Sequence, residues 1–261
     1  MEDAGAVRKK RGLSTERARI VRKRGHNDAL EFALAIGLKH DYVNNPSAKK
    51  DVIDPSGDSH SVKSGEVKWQ IFLYGPTRFR SDFAVMNGVG QLLIACIDSF
   101  PPTFEEYQAD KQAAKERLRP HMRELAEKLR DKVRLKAFIN KSMFNDGEVD
   151  YLTVKDGGVY HIFHYTDVIS AMSEKLAVEN SQARQKGQTS EQKVILKYKC
   201  TTLGEIEMRN DSPVHYKEIR FNMMKPKVME FLFYEIPQTG QYRDMVRVYG
   251  SAHKRFGRWK P

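Results

Sequence analysis

The stretch DVIDPSGDSHSVKSGEVKWQIFLY, Asp51 to Tyr74, decides how the chain reads. Pro55 and Gly57 predict a turn, because proline fixes φ and glycine accepts conformations that other residues avoid. A second turn falls at Ser64-Gly65. After it, Val67, Trp69, Ile71 and Leu73 alternate with Lys68, Gln70, Phe72 and Tyr74, the period-two pattern of a strand. Three aspartates (Asp51, Asp54, Asp58) stand shortly before Glu66-Val67-Lys68. Residues i and i+2 of a strand share a face. Glu66 and Lys68 are therefore expected to project together, with an aspartate of the preceding element facing them across a hairpin.

Working outward, Asn27 and Asp28 can cap a helix running to about Lys39, whose Leu30, Ala33, Leu34, Ala35, Ile36 and Leu38 make a broad apolar surface. Glu31 sits in its first turns. Residues 83–98 are too apolar to be exposed and read as a buried helix, or a helix and then a strand. Gly88 and Gly90 within them suit close helix packing. Residues 104–136 read as a long charged helix, either continuous or broken at Pro120. Beyond lie a hairpin around Asp156-Gly157-Gly158, a helix over 168–179, and strands over 194–211. A strand and a final apolar element follow over 215–235. The expectation is an α/β fold with a mixed central sheet flanked by helices and further helical and β segments. The chain divides into a basic arm (1–26), a core with the charged hairpin (27–100), a helical and hairpin segment (101–180) and a β-rich part with a basic aromatic tail (181–261). Within the last, residues 181–191 are a polar loop. No composition break forces these parts into separate domains.

The chain has 45 Lys+Arg against 34 Asp+Glu, a formal charge of +11, which favours a polyanionic partner. The excess sits at the ends: residues 1–26 hold nine basic and three acidic side chains, and residues 241–261 hold six basic and one acidic. Tyr242, Tyr249, Phe256 and Trp259 lie among the latter, a mixture suited to stacking on bases and pairing with phosphates. No apolar run reaches the roughly 18 residues of a membrane span, and the polar, Arg-rich residues 1–25 do not read as a secretory leader. Cys96 and Cys200 lack disulfide-framework or zinc spacing. A cytoplasmic protein without a membrane partner is expected.

Two carboxylates a few ångströms apart repel unless a cation joins them. Hard oxygen donors without soft ones select Mg²⁺, with Mn²⁺ as a substitute. A neighbouring lysine can orient water or stabilise charge on a phosphate. With these features the window resembles the PD-(D/E)xK nuclease superfamily, and within it the type II restriction endonucleases. The resemblance covers residues 27–98. It implies a restriction-endonuclease-like core, with Asp54 or Asp58 as the first metal-binding acid, Glu66 as the second and Lys68 as the catalytic lysine. Glu31 resembles the helix glutamate that often lies near the metal in this superfamily. The implied activity is sequence-specific, Mg²⁺-dependent cleavage of double-stranded DNA by a bacterial or archaeal homodimer. The literal Pro-Asp pair is absent, since the order here is Asp54-Pro55. Asp58 precedes Glu66 by 8 residues and Asp54 by 12. A competing register, Ser61-Val62-Lys63, makes Lys63 the catalytic lysine and leaves Glu66 or Glu31 to supply the missing carboxylate. A structure-specific repair nuclease and a non-catalytic nucleic-acid-binding protein are the rival readings.

Weaker candidates are the alternating acids Asp146, Glu148 and Asp150, and the pair Glu205 and Glu207. His161 and His164 are expected on opposite faces of a strand, which does not suit a shared metal.

Overall fold

The computed structural model describes residues 15–38, 51–83, 86, 88–183 and 189–258. The basic residues before Thr15, Lys39, residues 184–188 of the polar loop, and Trp259 lie outside the described residues.

The order of elements is α1 (Thr15–Ala35), β1 (Val52–Ile53), β2 (Ser59–Lys63), β3 (Lys68–Tyr74), α2 (Pro76–Asp82), α3 (Val89–Asp98), α4 (Phe104–Ala109), α5 (Lys111–Arg130) and α6 (Lys132–Phe144). It continues with β4 (Tyr151–Asp156), β5 (Val159–His164), α7 (Tyr165–Lys175), β6 (Ala177–Asn180), β7 (Lys193–Tyr198) and β8 (Thr201–Arg209). The last elements are β9 (Glu218–Met224), α8 (Lys225–Glu235), β10 (Gln238–Tyr242) and β11 (Val246–Tyr249). The strands make two sheets. One is six-stranded and mixed, in the order β1-β2-β4-β5-β11-β10, with β2/β4 and β5/β11 parallel. The other is five-stranded and antiparallel, in the order β3-β9-β8-β7-β6. The fold is thus α/β with a mixed sheet and flanking helices, as the sequence predicts.

A large core draws on both sheets: Leu152, Val154 and Phe163 of the first meet Phe221, Leu196 and Phe72 of the second, with α3, α5 and α6 contributing Leu93, Leu125 and Phe138. It crosses the boundaries drawn at residues 100 and 180. A second, smaller core lies on the other face of the six-stranded sheet. There Phe32, Ala33 and Ile36 of α1 meet Val52, Tyr151, Tyr160, Val246, Val248 and Phe256.

Several local expectations change. The first helix begins at Thr15, twelve residues before its expected cap, because the preceding Arg-, Lys- and Ala-containing segment favours helix and nothing there stops it. Asp28 therefore lies inside the helix. The long helix runs through Pro120 and breaks instead at Asp110 and Asp131. Each of these aspartates caps the next helix, accepting from the Ala113 and Arg134 amides at 2.9 Å. The expected helix over 168–179 ends at Lys175, and Ala177–Asn180 pairs with β7 as an edge strand. Residues 89–98 are helical throughout, and Gly90 packs against the Phe83 carbonyl so closely that a Cβ would lie 2.3 Å from its oxygen.

The hairpin is the largest change. β2 pairs with β1 and β4, whereas β3 pairs with β9 in the other sheet. The Ser64-Gly65 segment is a crossing between sheets. A register shift between Gln70 and Phe72 also changes the inward side, so that Trp69 and Phe72 are buried and Val67 is exposed.

Candidate functional site at one end of the mixed sheet

The turn between β1 and β2 is built by Asp54. Its Oδ1 accepts from the Ser56 amide at 2.9 Å, the Ser56 hydroxyl at 2.7 Å and the Asp58 amide at 3.1 Å. Its Oδ2 stands 3.4 Å from His60 Nε2. Burial opposes the charge on Asp54, but the hydrogen bonds from His60 and Ser56 outweigh it and hold the carboxyl below its usual range. His60 is fully buried, which pushes its pKa down against the pull of Asp54. Its Nδ1 lies 2.8 Å from the Thr153 hydroxyl. Neutral His60 satisfies both contacts if Nε2 carries the proton and Nδ1 accepts from Thr153. Asp58 accepts from the Tyr151 hydroxyl at 3.0 Å. Asp150 accepts from the Ser59 amide and hydroxyl at 2.8 and 2.9 Å. These acids fasten the end of the sheet where β2 and β4 begin.

Lys63 stands at the other end of β2. Five residues at about 3.3 Å each put its Cα roughly 16 Å from that of Asp58. The pairing of Val52 with His60 sets Asp51 across from Ser61, and Asp51 Oδ2 accepts from the Val62 amide at 2.8 Å. Lys63 is half-buried. Burial pushes its pKa down, while the Asp51 carboxylate favours its charged form. The strand thus brings Lys63 together with Asp51, not with Asp54 or Asp58.

The same end of the sheet gathers charge from three other places. Lys155, near the end of β4, donates to Asp28 Oδ1 at 2.8 Å and to Glu31 Oε2 at 2.6 Å. Despite burial, those two acids hold Lys155 above the ordinary lysine range. Lys225, 6% exposed at the start of α8, donates to the Lys155 carbonyl at 2.9 Å and pairs with Asp156 at 2.7 Å. Its amide donates to the Val67 carbonyl at 3.0 Å, which draws the segment carrying exposed Glu66 over this end. Arg243, in the turn before β11, donates to the Ala35 carbonyl at 3.2 Å. Lys68 begins β3 in the five-stranded sheet, where its ammonium lies 3.9 Å from Glu205 of β8.

The expected acids are therefore divided. Asp54 and Asp58 bind the turn, Glu31 is held by Lys155, and Glu66 and Lys68 follow the crossing to the other sheet. Asp51, Glu31 and Glu66 are hard oxygen donors of the kind Mg²⁺ takes. Among the described residues, however, no three His, Cys, Asp or Glu side chains converge to hold a metal ion, and as arranged these acids enclose none. Glu205 and Glu207 pair with Lys193 at 3.1 and 2.5 Å, and Glu207 also pairs with Arg220, which accounts for their alternation. Asp146 pairs with Lys141 at 2.9 Å, and Glu148 accepts from Asn145 at 2.6 Å. His161 and His164 do face opposite ways: His161 meets Phe233 and Tyr249, and His164 meets Tyr151. The C-terminal aromatics Tyr249 and Phe256 are buried in the cores and so are not presented for base stacking.

Asp51 is the residue that the sequence reading passed over. Counting back from the Asp54–Asp58 turn would have set it opposite Ser61, but only the pairing of β1 with β2 identifies that turn as the hairpin. The chain matches no protein-family model and no curated protein. Among the described residues, no helix is long and apolar enough to cross a membrane.

Proposed function

We propose that the chain is a DNA endonuclease of the PD-(D/E)xK kind, a type II restriction enzyme acting as a cytoplasmic homodimer on double-stranded DNA. Its reacting groups are Asp51 and Lys63. One observation carries this reading. Asp51 and Lys63 of the β1–β2 hairpin on one face, Glu31 of α1 on the opposite face, and the basic turn at Arg243 occupy the same end of the mixed sheet. This supports the Ser61-Val62-Lys63 register over Glu66/Lys68.

Lys63 sets a cation against the non-bridging oxygens of a phosphate, where negative charge grows as water attacks phosphorus. Asp51 accepts a hydrogen bond from that water and orients it for in-line attack. Two cuts in a duplex with a two-fold symmetric site call for a symmetric dimer.

The test is plasmid cleavage in Mg²⁺ or Mn²⁺. Lys63→Ala and Asp51→Asn should each lower the rate at least about a hundredfold, the scale of losing a charge-stabilising or proton-handling group. Lys68→Ala should leave it within about threefold. Full activity in both of the first two variants would remove this site. Discrete fragments from linear DNA favour restriction, and cleavage confined to junctions or flaps favours repair. The scattered acids favour a second reading, a DNA-binding protein without cleavage. Tight binding in chelator, with no cutting by the native protein in any divalent metal, would select it.

A further inference from the structure

Strand register aligns a row of side chains across the six-stranded sheet. Lys63 of β2 pairs with Val154 of β4, Val154 with His161 of β5, and His161 with Arg247 of β11. Paired residues share a face, so Lys63, His161 and Arg247 stand in line on the side of the sheet that faces α8. Three strand spacings of roughly 4.8 Å set the ends of the row about 14 Å apart. Val154, in line between Lys63 and His161, is buried in the large core, while Lys63, His161 and Arg247 each keep part of their surface exposed. Among the described residues, neither Lys63 nor Arg247 is in an ion pair. Arg247 donates only to the Asp244 carbonyl, at 3.0 Å. His161 is fixed from below, with Nδ1 2.8 Å from the Tyr249 hydroxyl and its ring edge-on to Phe233, which is 38% exposed. Lys225 and exposed Lys227 of α8 add positive charge beside the row, and Asp156 offsets the first.

We infer that this row is a phosphate track: Arg247, together with Lys63 and His161, holds consecutive phosphates of a DNA strand across the end of the sheet. The inference rests on the nuclease reading for what happens at Lys63 and extends it by naming Arg247 as a positioning residue. A polyanion whose charges repeat about every 3.4 Å along each strand can meet several cations over this length. Two cations, Arg247 with no ion pair among the described residues and Lys63 with only the Asp51 carboxylate near it, and a polar histidine between them suit such a ligand better than a single small anion.

The experiment measures binding of a fluorescent DNA duplex in chelator, over about 50 to 250 mM salt, so that cleavage plays no part. Arg247→Ala should weaken binding to all sequences alike and reduce the slope of log affinity against log salt by about 0.9. Arg247→Lys should restore most of the slope, because the charge returns. Lys63→Gln, measured in the same way, gives an independent reading should Arg247→Ala fold poorly. An unchanged slope in every folded variant, or no binding by the native protein, overturns the track. Reduced slopes in a protein that never cleaves DNA would uphold the track and reject the nuclease. Unchanged slopes in a protein that cleaves at Lys63 would do the reverse.

Discussion

Replacing Asp54 with alanine separates a structural acid from a chemical one. The substitution removes four contacts: the Ser56 amide and hydroxyl, the Asp58 amide and His60. Ser56 is exposed and its groups can turn to water, so each of those losses is small. His60 is fully buried and cannot. A hydrogen bond to a charged partner contributes about 1.5–3 kcal/mol, and a neutral one about 0.5–1.5 kcal/mol. Adding the stranded Nε2 proton of His60, the total comes to about 4 kcal/mol. At roughly 2–4 °C per kcal/mol for a chain of this size, Asp54→Ala should melt about 10 °C below the native protein. Asp58→Ala loses a single bond, from the buried Tyr151 hydroxyl, and should cost about 2–3 kcal/mol. Thermal unfolding followed by circular dichroism reads both. A melting point for Asp54→Ala within about 2 °C of native, especially if cleavage also disappeared, would refute the turn-building role and return Asp54 to the chemistry.

Further outcomes follow from the same geometry. Gly90→Ala should destabilise by about 1–3 kcal/mol, since its Cβ would strike the Phe83 carbonyl rather than a movable side chain; a neutral effect in denaturant unfolding would contradict the close packing of α3. Acid should weaken the fold. Buried His60 and His164 both titrate below the ordinary histidine value, so the unfolded chain takes up their protons first and stability is lost as pH falls below about 6.5. Asp54, held below the usual carboxylate range, adds a further loss at lower pH as it is protonated. Chemical denaturation at pH 7.5 and 5.5 should show lower stability at 5.5, and equal stability would count against the neutral buried histidines. Phe221→Ala, in the core shared by both sheets, should cost about 3–5 kcal/mol, and its unfolding should remain a single transition. Separate loss of one sheet would mean that the shared core does not couple them.

Much of the local structure was legible in the sequence. The strand at Lys68–Tyr74, the hairpin around Asp156-Gly157-Gly158 and a buried helix within residues 83–98 follow from residue period and turn chemistry acting over a few neighbours. The concentration of positive charge at the two ends was legible too. What the sequence did not contain was which strands pair. The Ser64-Gly65 bend reads equally well as a hairpin or as a passage between sheets, since the choice turns on β9, some 150 residues away, offering β3 an edge and an apolar face. That distant pairing separates Glu66 and Lys68 from Asp54 and Asp58. The parallel pairing of β2 with β4 and of β5 with β11 then brings Lys63, Asp51, Lys155 and Arg247 to one end. Local propensity acts over a turn or two, whereas the juxtaposition of charges across a sheet is set by long-range hydrogen-bond register and by burial of the two cores.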